Sequence, residues 1–263
     1  MINTLDKYGK WALITGASSG IGEEFARELA KRGHNLVLLA RREDKLKILK
    51  KELENHSGIE VRLIFADLAK NDFMEKVLAV TADITISILI NNAGYGSTGS
   101  FAENDLNFQA DMVRVNCYAP VLLTHHFVNK MKTEGKGAVI FLGSVVAYQP
   151  VPMMSVYSAT KVFNLLLGES LWYELKGSNI DVLVVNPGAT KTEFQRIANI
   201  DTGPTVRTVE QVVKSTFSAL GKKPSVIDGI LNKITAISGR FMPRKILISI
   251  SGKIATSLYK KFN

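Results

Sequence analysis

Lys10-Trp11-Ala12-Leu13-Ile14-Thr15-Gly16-Ala17-Ser18-Ser19-Gly20-Ile21-Gly22 decides how the rest of the chain reads. Its first half is a short apolar run ending in glycine, the pattern of a buried strand. A glycine turn follows, and from Glu23 to Arg32 the residues Phe25, Ala26, Leu29 and Ala30 keep helical spacing. Glycine lets the backbone approach a phosphate closely. A helix N-terminus then offers it unpaired N–H groups and the positive end of a dipole. The unit predicts a dinucleotide site at Gly16, Ser18, Ser19, Gly20, Ile21 and Gly22.

Working outward, further apolar runs recur near residues 36–40, 61–65, 86–90, 138–143 and 181–185, with helical stretches between them. Alternating strands and helices imply a parallel sheet with right-handed crossovers. With 263 residues, 46% of them apolar, the chain can bury a large core. The expected fold is α/β: a doubly wound parallel sheet, Rossmann-like, a single domain over 1–263 with a C-terminal helical extension.

Ser144, Tyr157 and Lys161 stand behind this framework. Four residues separate Tyr157 from Lys161, so a helix places them on one face, one turn apart. Bringing a phenol from a pKa of about 10 to near neutrality takes roughly 4 kcal/mol. A cation at about 4 Å supplies about that much at an effective dielectric of about 20. Gly143-Ser144-Val145 follows the run Ala138-Val139-Ile140-Phe141-Leu142, which puts the serine at the carboxyl end of a strand, where ligands bind in open α/β sheets. Taken singly, Ser144 also reads as a helix cap and the Tyr–Lys pair as a solvated helix face.

The glycine spacing Gly-x-x-x-Gly-x-Gly, Asn91-Asn92-Ala93-Gly94, Asn116, Ser144, Tyr157-x-x-x-Lys161 and Pro187-Gly188 occur in one order. As a set they resemble the short-chain dehydrogenase/reductase family, in its ordinary-length, non-extended branch, from about Lys10 to Thr192. The resemblance implies roles. Ser144 would hydrogen-bond a substrate carbonyl and Tyr157 would deliver its proton. Lys161 would lower the phenol pKa and hold the nicotinamide ribose, and Asn116 would anchor a water chain from Lys161. Asp67 would bond the adenine amino group, and Asn91 to Gly94 would brace the fourth strand beside the cofactor, with Asn91, Ala93 and Gly94 at the cofactor itself. Pro187, Gly188 and Thr192 would line the nicotinamide end, Thr192 at the carboxamide. For Asp67, Asn91 and Asn116 the residues alone equally suit caps and turns.

Arg41-Arg42 ends the second strand, where a carboxylate would bond free ribose hydroxyls and favour NAD(H). An arginine fork suits a 2′-phosphate, so NADP(H) is expected ahead of NAD(H). Two points leave the alternative open: the turn carries Ser18 and Ser19 in place of a basic residue, and two arginines can simply begin a solvated helix.

Lys191 to Pro204, with Phe194, Ile197 and Ile200, reads as a lid closing over the reaction. With Val146, Tyr148, Val151, Met153 and Met154 it suggests an apolar ketone, aldehyde or secondary alcohol: acyl, steroid-like or retinoid-like. The expected activity is a carbonyl reductase or the reverse alcohol dehydrogenase. A membrane- or carrier-docked nucleotide-binding protein of little catalysis is the alternative.

Charge is segregated. From Gly203 to Asn263 eleven lysines and arginines face two acids, Glu210 and Asp228, which leaves +9, the whole formal charge of the chain. Such a segment suits an anionic partner: a phospholipid surface, an acidic carrier or a subunit face. Its end, Arg244 to Phe262, reads as an amphipathic basic helix with Ile246, Leu247, Ile250, Ile254 and Leu258 on one side. That stripe can pack on the core, meet a second subunit or lie in a membrane interface; the helix is too short and charged to span a bilayer. A single cysteine, Cys117, cannot form an internal disulfide, and His34, His56, His125 and His126 lack metal-ligand spacing, so no metal is expected. Met1 to Tyr8 lacks a secretory apolar segment, which suggests a cytoplasmic protein. The basic segment has no nucleic-acid recognition motif, and the family resemblance implies a homo-oligomer.

Overall fold

The computed structural model describes residues 5–194 and 206–259. Seven strands form one fully parallel sheet in the order β3-β2-β1-β4-β5-β6-β7. They are β1 (Trp11–Thr15), β2 (Asn35–Ala40), β3 (Val61–Phe65), β4 (Ile86–Asn91), β5 (Gly137–Leu142), β6 (Ile180–Asn186) and β7 (Ser225–Ile227). The helices between them are α1 (Gly20–Lys31), α2 (Glu43–Ser57), α3 (Phe73–Val80), α4 (Leu106–Val113), α5 (Ala119–Glu134) and α6 (Ser155–Glu174). α7 (Val209–Ala219), α8 (Ile230–Ser238) and α9 (Arg244–Tyr259) follow β6. A π-helical turn, Arg114–Tyr118, joins α4 to α5.

The near-continuous apolar runs follow from burial on both sheet faces. Alternate residues serve opposite layers. Ile14, Leu36, Leu38, Ile90 and Leu183 pack with Phe25, Leu29 and Val212 on the side of α1, α2 and α7. Leu13, Val37, Leu39, Leu89 and Val184 pack with Phe73, Phe127 and Leu165 on the side of α3, α5 and α6. Phe25 of α1 and Phe217 of α7 meet edge to face at 5.6 Å. α7 begins with a capping box, Thr208 and Gln211 satisfying each other's backbone N–H.

Six of the seven strands fall where the apolar runs put them. β7 escapes because it is three residues long, too short for a period to show, and pairs on one edge only. The C-terminal helix runs from Arg244 as expected, and its described part ends at Tyr259. The chain winds outward from β1 through β3 on one side, then from β4 through β7 on the other. The crevice where the order reverses lies past the carboxyl ends of β1 and β4.

Candidate active site

The glycine turn after β1 is held against β4 from both sides. Thr15 Oγ1 donates to Ile90 O and accepts from the backbone N–H groups of Asn92 and Ala93, each at 3.0 Å. Asn92 Nδ2 returns to Thr15 O at 2.8 Å. Gly16 has φ +66°, and a methyl group there would lie 2.8 Å from Ala93 Cα. A methyl group on Gly22 would overlap Gly16 O and the Asn92 amide. Only glycine lets this turn press on β4 and leave the α1 N-terminus open to a phosphate. Asn91 points elsewhere: its Nδ2 donates to Thr124 Oγ1 of α5 at 2.9 Å. Within the expected brace from Asn91 to Gly94, Asn92 with Thr15 holds the glycine turn and Asn91 ties β4 to α5. The adjacent asparagines were visible in the sequence; which of them faces the turn follows from strand parity at the end of β4.

Ser144 follows β5 and Gly143. Its N–H donates to Asn186 Oδ1 at 3.1 Å, and its Oγ accepts from Val146 N and so caps a 3₁₀ turn. Asn186, fully buried at the end of β6, also donates to Tyr148 OH at 3.3 Å. It ties β5, β6 and the turn together, a role that sequence reasoning missed.

Tyr157 and Lys161 occupy the first two turns of α6 and are 7% and 4% exposed. Ser144 lies against the phenol and favours its ionised form. Lys161 Nζ donates to Leu142 O at 2.8 Å and lies 5.7 Å from the centre of the Tyr157 ring. Serine, tyrosine and lysine therefore converge from the ends of β5 and α6, as their spacing predicts. Asn116, on the π-helical turn, donates to Tyr95 O at 2.9 Å and to Thr160 Oγ1 at 3.0 Å, and accepts from Tyr95 N. Gly94 separates it from Lys161: a methyl group there would lie 3.0 Å from Asn116 Oδ1 and 3.4 Å from Lys161 Nζ. Asn116 is fully buried on this π-turn, which interrupts the regular ladder between α4 and α5.

The electrostatics correct one expectation. Burial pushes the Tyr157 phenol up to about 12, with the Ser144 hydrogen bond opposing it. Burial likewise pulls Lys161 down to about 8. In the protein alone burial outweighs the groups that favour the phenolate, and the Lys161 ammonium donates to a backbone carbonyl. Near neutral pH the proton therefore belongs to the phenol in the protein alone. Burial also raises the neighbouring Cys117 thiol to about 11 and leaves it inert.

The two arginines after β2 divide. Arg42 lies on the glycine turn, its Nε donating to Ser18 Oγ at 3.1 Å and its Nη2 to Ser18 O at 3.2 Å. Its Nη1 donates to Glu193 Oε2 at 2.6 Å. Arg41 is 69% exposed and reaches Asp67 Oδ2 at 3.9 Å. Asp67 turns its other oxygen to Ala69 N at 3.0 Å, closing its own turn. The glycine turn thus supplies the basic group that its serines lack by borrowing Arg42. Glu193, whose carboxyl Arg42 holds below its ordinary range, went unnoticed in the sequence because it sits among polar residues of the expected lid.

At the far end, Gly188 abuts Asn232 of α8, and Val145 N donates to Pro187 O at 3.0 Å. Thr192 packs on Gly20 and accepts from Phe194 N at 3.3 Å. The Phe194 ring lies 5.5 Å from that of Tyr157, and Gly96 leaves room for both. Residues 195–204 of the expected lid, with Ile197 and Ile200, lie outside the described residues.

The pattern of the short chain dehydrogenase family matches residues 10–202, most of the chain. The chain belongs to the short-chain dehydrogenase/reductase family. It is 31% identical to a 7β-hydroxysteroid dehydrogenase of Clostridium sardiniense over 96% of this chain and 98% of that one. It is 30% identical to a very-long-chain 3-oxoacyl-CoA reductase of Mus musculus over 97% and 84%. A short-chain dehydrogenase from Sphingobium yanoikuyae, solved in complex with NADPH, superimposes with a TM-score of 0.79 at 35% identity over 88% and 93%. As a member of this family the chain is an NAD(P)-dependent oxidoreductase acting between ketones and alcohols.

Proposed function

We propose that the chain is an NADP(H)-dependent carbonyl reductase, or the reverse alcohol dehydrogenase, for a large apolar ketone. The convergence of Ser144, Tyr157 and Lys161 in a buried crevice carries this reading. The turn at Gly16, Ser18, Ser19, Gly20, Ile21 and Gly22 fits a pyrophosphate, since added methyl groups at Gly16 and Gly22 would fill the cradle. The Arg42 fork over Ser18 fits a 2′-phosphate, with Arg41 as a second cation beside Asp67. Ala93, Gly94, Pro187, Gly188 and Thr192 would line the path from there to Tyr157.

Bound NADPH would supply a hydride to the carbonyl carbon. Ser144 Oγ would donate to the carbonyl oxygen and fix it beside the phenol. Tyr157 Oη would pass its proton to that oxygen, leaving an alcohol and a phenolate. Lys161, charged below about 8, would return a proton toward that phenolate and hold the ribose, and Asn116, across Gly94, would position the water that resupplies it. In the other direction the phenolate takes the alcohol proton.

The substrate reading rests on the wall around Tyr157. Phe194 packs on Tyr157, and Val146, Val151, Met153 and Met154, half-buried on the stretch between Ser144 and Tyr157, are apolar as well. The named activities of the steroid and oxoacyl relatives agree with a bulky apolar carbonyl. A homo-oligomer is supported by exposed Tyr118 and Val121 on the α5 side and Phe163, Leu166 and Tyr173 on α6. Oxidation of NADPH and of NADH, followed by absorbance against a panel of steroid, acyl and small hydrophilic ketones, tests the proposal. Turnover of bulky ketones with NADPH is expected; no turnover of any of them, or equal use of NADH, refutes it.

A further inference from the structure

α8, the short turn after it and α9 present apolar side chains outward in a density found nowhere else among the described residues. Of the 21 large apolar residues that are well exposed, ten fall between Ile230 and Ile254. Isolated exposure is ordinary, but a concentration of this kind marks a surface that meets something. Along α8, Ile230, Ile234 and Ile237 recur at helical spacing with exposures of 80%, 59% and 39%. Along α9, Ile246, Ile250 and Ile254 do the same at 52%, 43% and 57%. Phe241, between the helices, is 83% exposed.

These helices are already docked by their other sides. Ala236, Leu247 and Ser251 are buried. Ser251 Oγ donates to Pro150 O at 2.9 Å, and Gly252 packs on Pro152. The isoleucine stripes are therefore outer faces, and the core is not what covers them. Around them the charge has one sign: from Gly229 to Asn263 there are seven lysines and arginines and no acid. Lys233, Arg244, Lys245 and Lys253 are exposed.

We infer that this segment docks the enzyme on an anionic phospholipid surface, with the isoleucines at the headgroup boundary and the cations on the phosphates. A second copy is disfavoured because a symmetric contact would set lysine against lysine, with no carboxylate in either segment to pair them. The docked unit is pinned to Pro150 and Pro152, on the stretch from Ser144 to Tyr157, so the lipid face and the substrate wall are one piece. An apolar substrate would then enter from the lipid. That consequence rests on the proposed function; the docking does not, and its test reads no turnover.

The test is co-sedimentation of the full chain with vesicles of phosphatidylcholine alone and of phosphatidylcholine mixed with phosphatidylserine. Binding to the mixed vesicles, weakened by salt, is expected. Lys245→Glu/Lys253→Glu and Ile250→Ser/Ile254→Ser should each lower partitioning by about tenfold or more. Retained far-UV circular dichroism and thermal midpoint would show that these surface variants stay folded. Failure of the unaltered chain to bind mixed vesicles, or equal binding to neutral ones, overturns the inference. It is also overturned if Ile250→Glu lowers the sedimentation coefficient without vesicles, which makes a second copy the occupant. Capture by an acidic carrier protein, with no binding to vesicles, overturns it in favour of that partner.

Discussion

In the crevice, Tyr157 and Lys161 are polar groups taken out of water; on α8 and α9, Ile230 and Ile254 are apolar groups left in it. Both depart from the general rule of apolar inside and polar outside, and departures are where function is written. The costs differ in kind. Burying the phenol and the amine shifts their proton affinities in opposite directions, to about 12 and about 8, which stores reactivity. Exposing isoleucines stores association. The balanced charge of residues 1–202 belongs to the first task and the basic remainder to the second.

Tyr157 carries the largest expected effect. Tyr157→Phe should lower kcat/KM by about a thousandfold while leaving NADPH affinity within about twofold, measured by turnover and by fluorescence titration. Turnover near that of the unaltered enzyme would mean that burial of this phenol serves packing alone. Arg42→Asp should weaken NADPH by about a hundredfold and NADH little, because it removes a forked contact and adds a like charge. Arg41→Asp should cost much less, since Arg41 stands mostly in solvent. Equal losses at the two would place the 2′-phosphate between them.

The pH dependence sharpens the same point. Its sign follows from a raised phenol pKa: the acid form persists through neutral pH, so ketone reduction should be flat there. Alcohol oxidation needs the phenolate and should rise by about tenfold per pH unit below its pKa. The difference in ultraviolet absorbance between the unaltered protein and Tyr157→Phe should show no phenolate near neutrality without cofactor. Addition of NADP⁺, whose positive ring favours the anion, should move that ionisation downward. Phenolate present at neutral pH in the free protein would restore Lys161 to the governing role that the sequence suggested.

Most of the sheet was legible, because strands buried on both faces carry unbroken apolar runs and need no partner to be recognised. β7 was not, being shorter than any period. Ser144, Tyr157 and Lys161 could be read from order and spacing, since a helix fixes which residues share a face. Their proton affinities could not: those depend on how dry the crevice is and on Leu142 O, which no spacing reveals. Asn186 was missed for a related reason. It acts by joining two strands, and the register that brings it to Ser144 exists only in the folded sheet. The amphipathic stripe of α9 was visible, but its split into a buried Leu247 and an exposed Ile246 was not.

The smallest effect lies where lid and cofactor sites touch. Glu193 holds Arg42 at 2.6 Å across the glycine turn, so a carboxylate rests where phosphate oxygens would be drawn. Any 2′-phosphate that takes Arg42 must compete with it. The pair is about two-fifths exposed on each side, so water screens much of its attraction and the competition is mild. Glu193→Gln keeps the shape and removes the charge. It should tighten NADPH by about threefold and leave NADH nearly unchanged, read by isothermal titration. The gain should shrink in high salt, as it does for exposed charges. If NADPH weakens instead, Glu193 helps to close the lid over the cofactor, and Arg42 serves as its anchor rather than as the phosphate's partner.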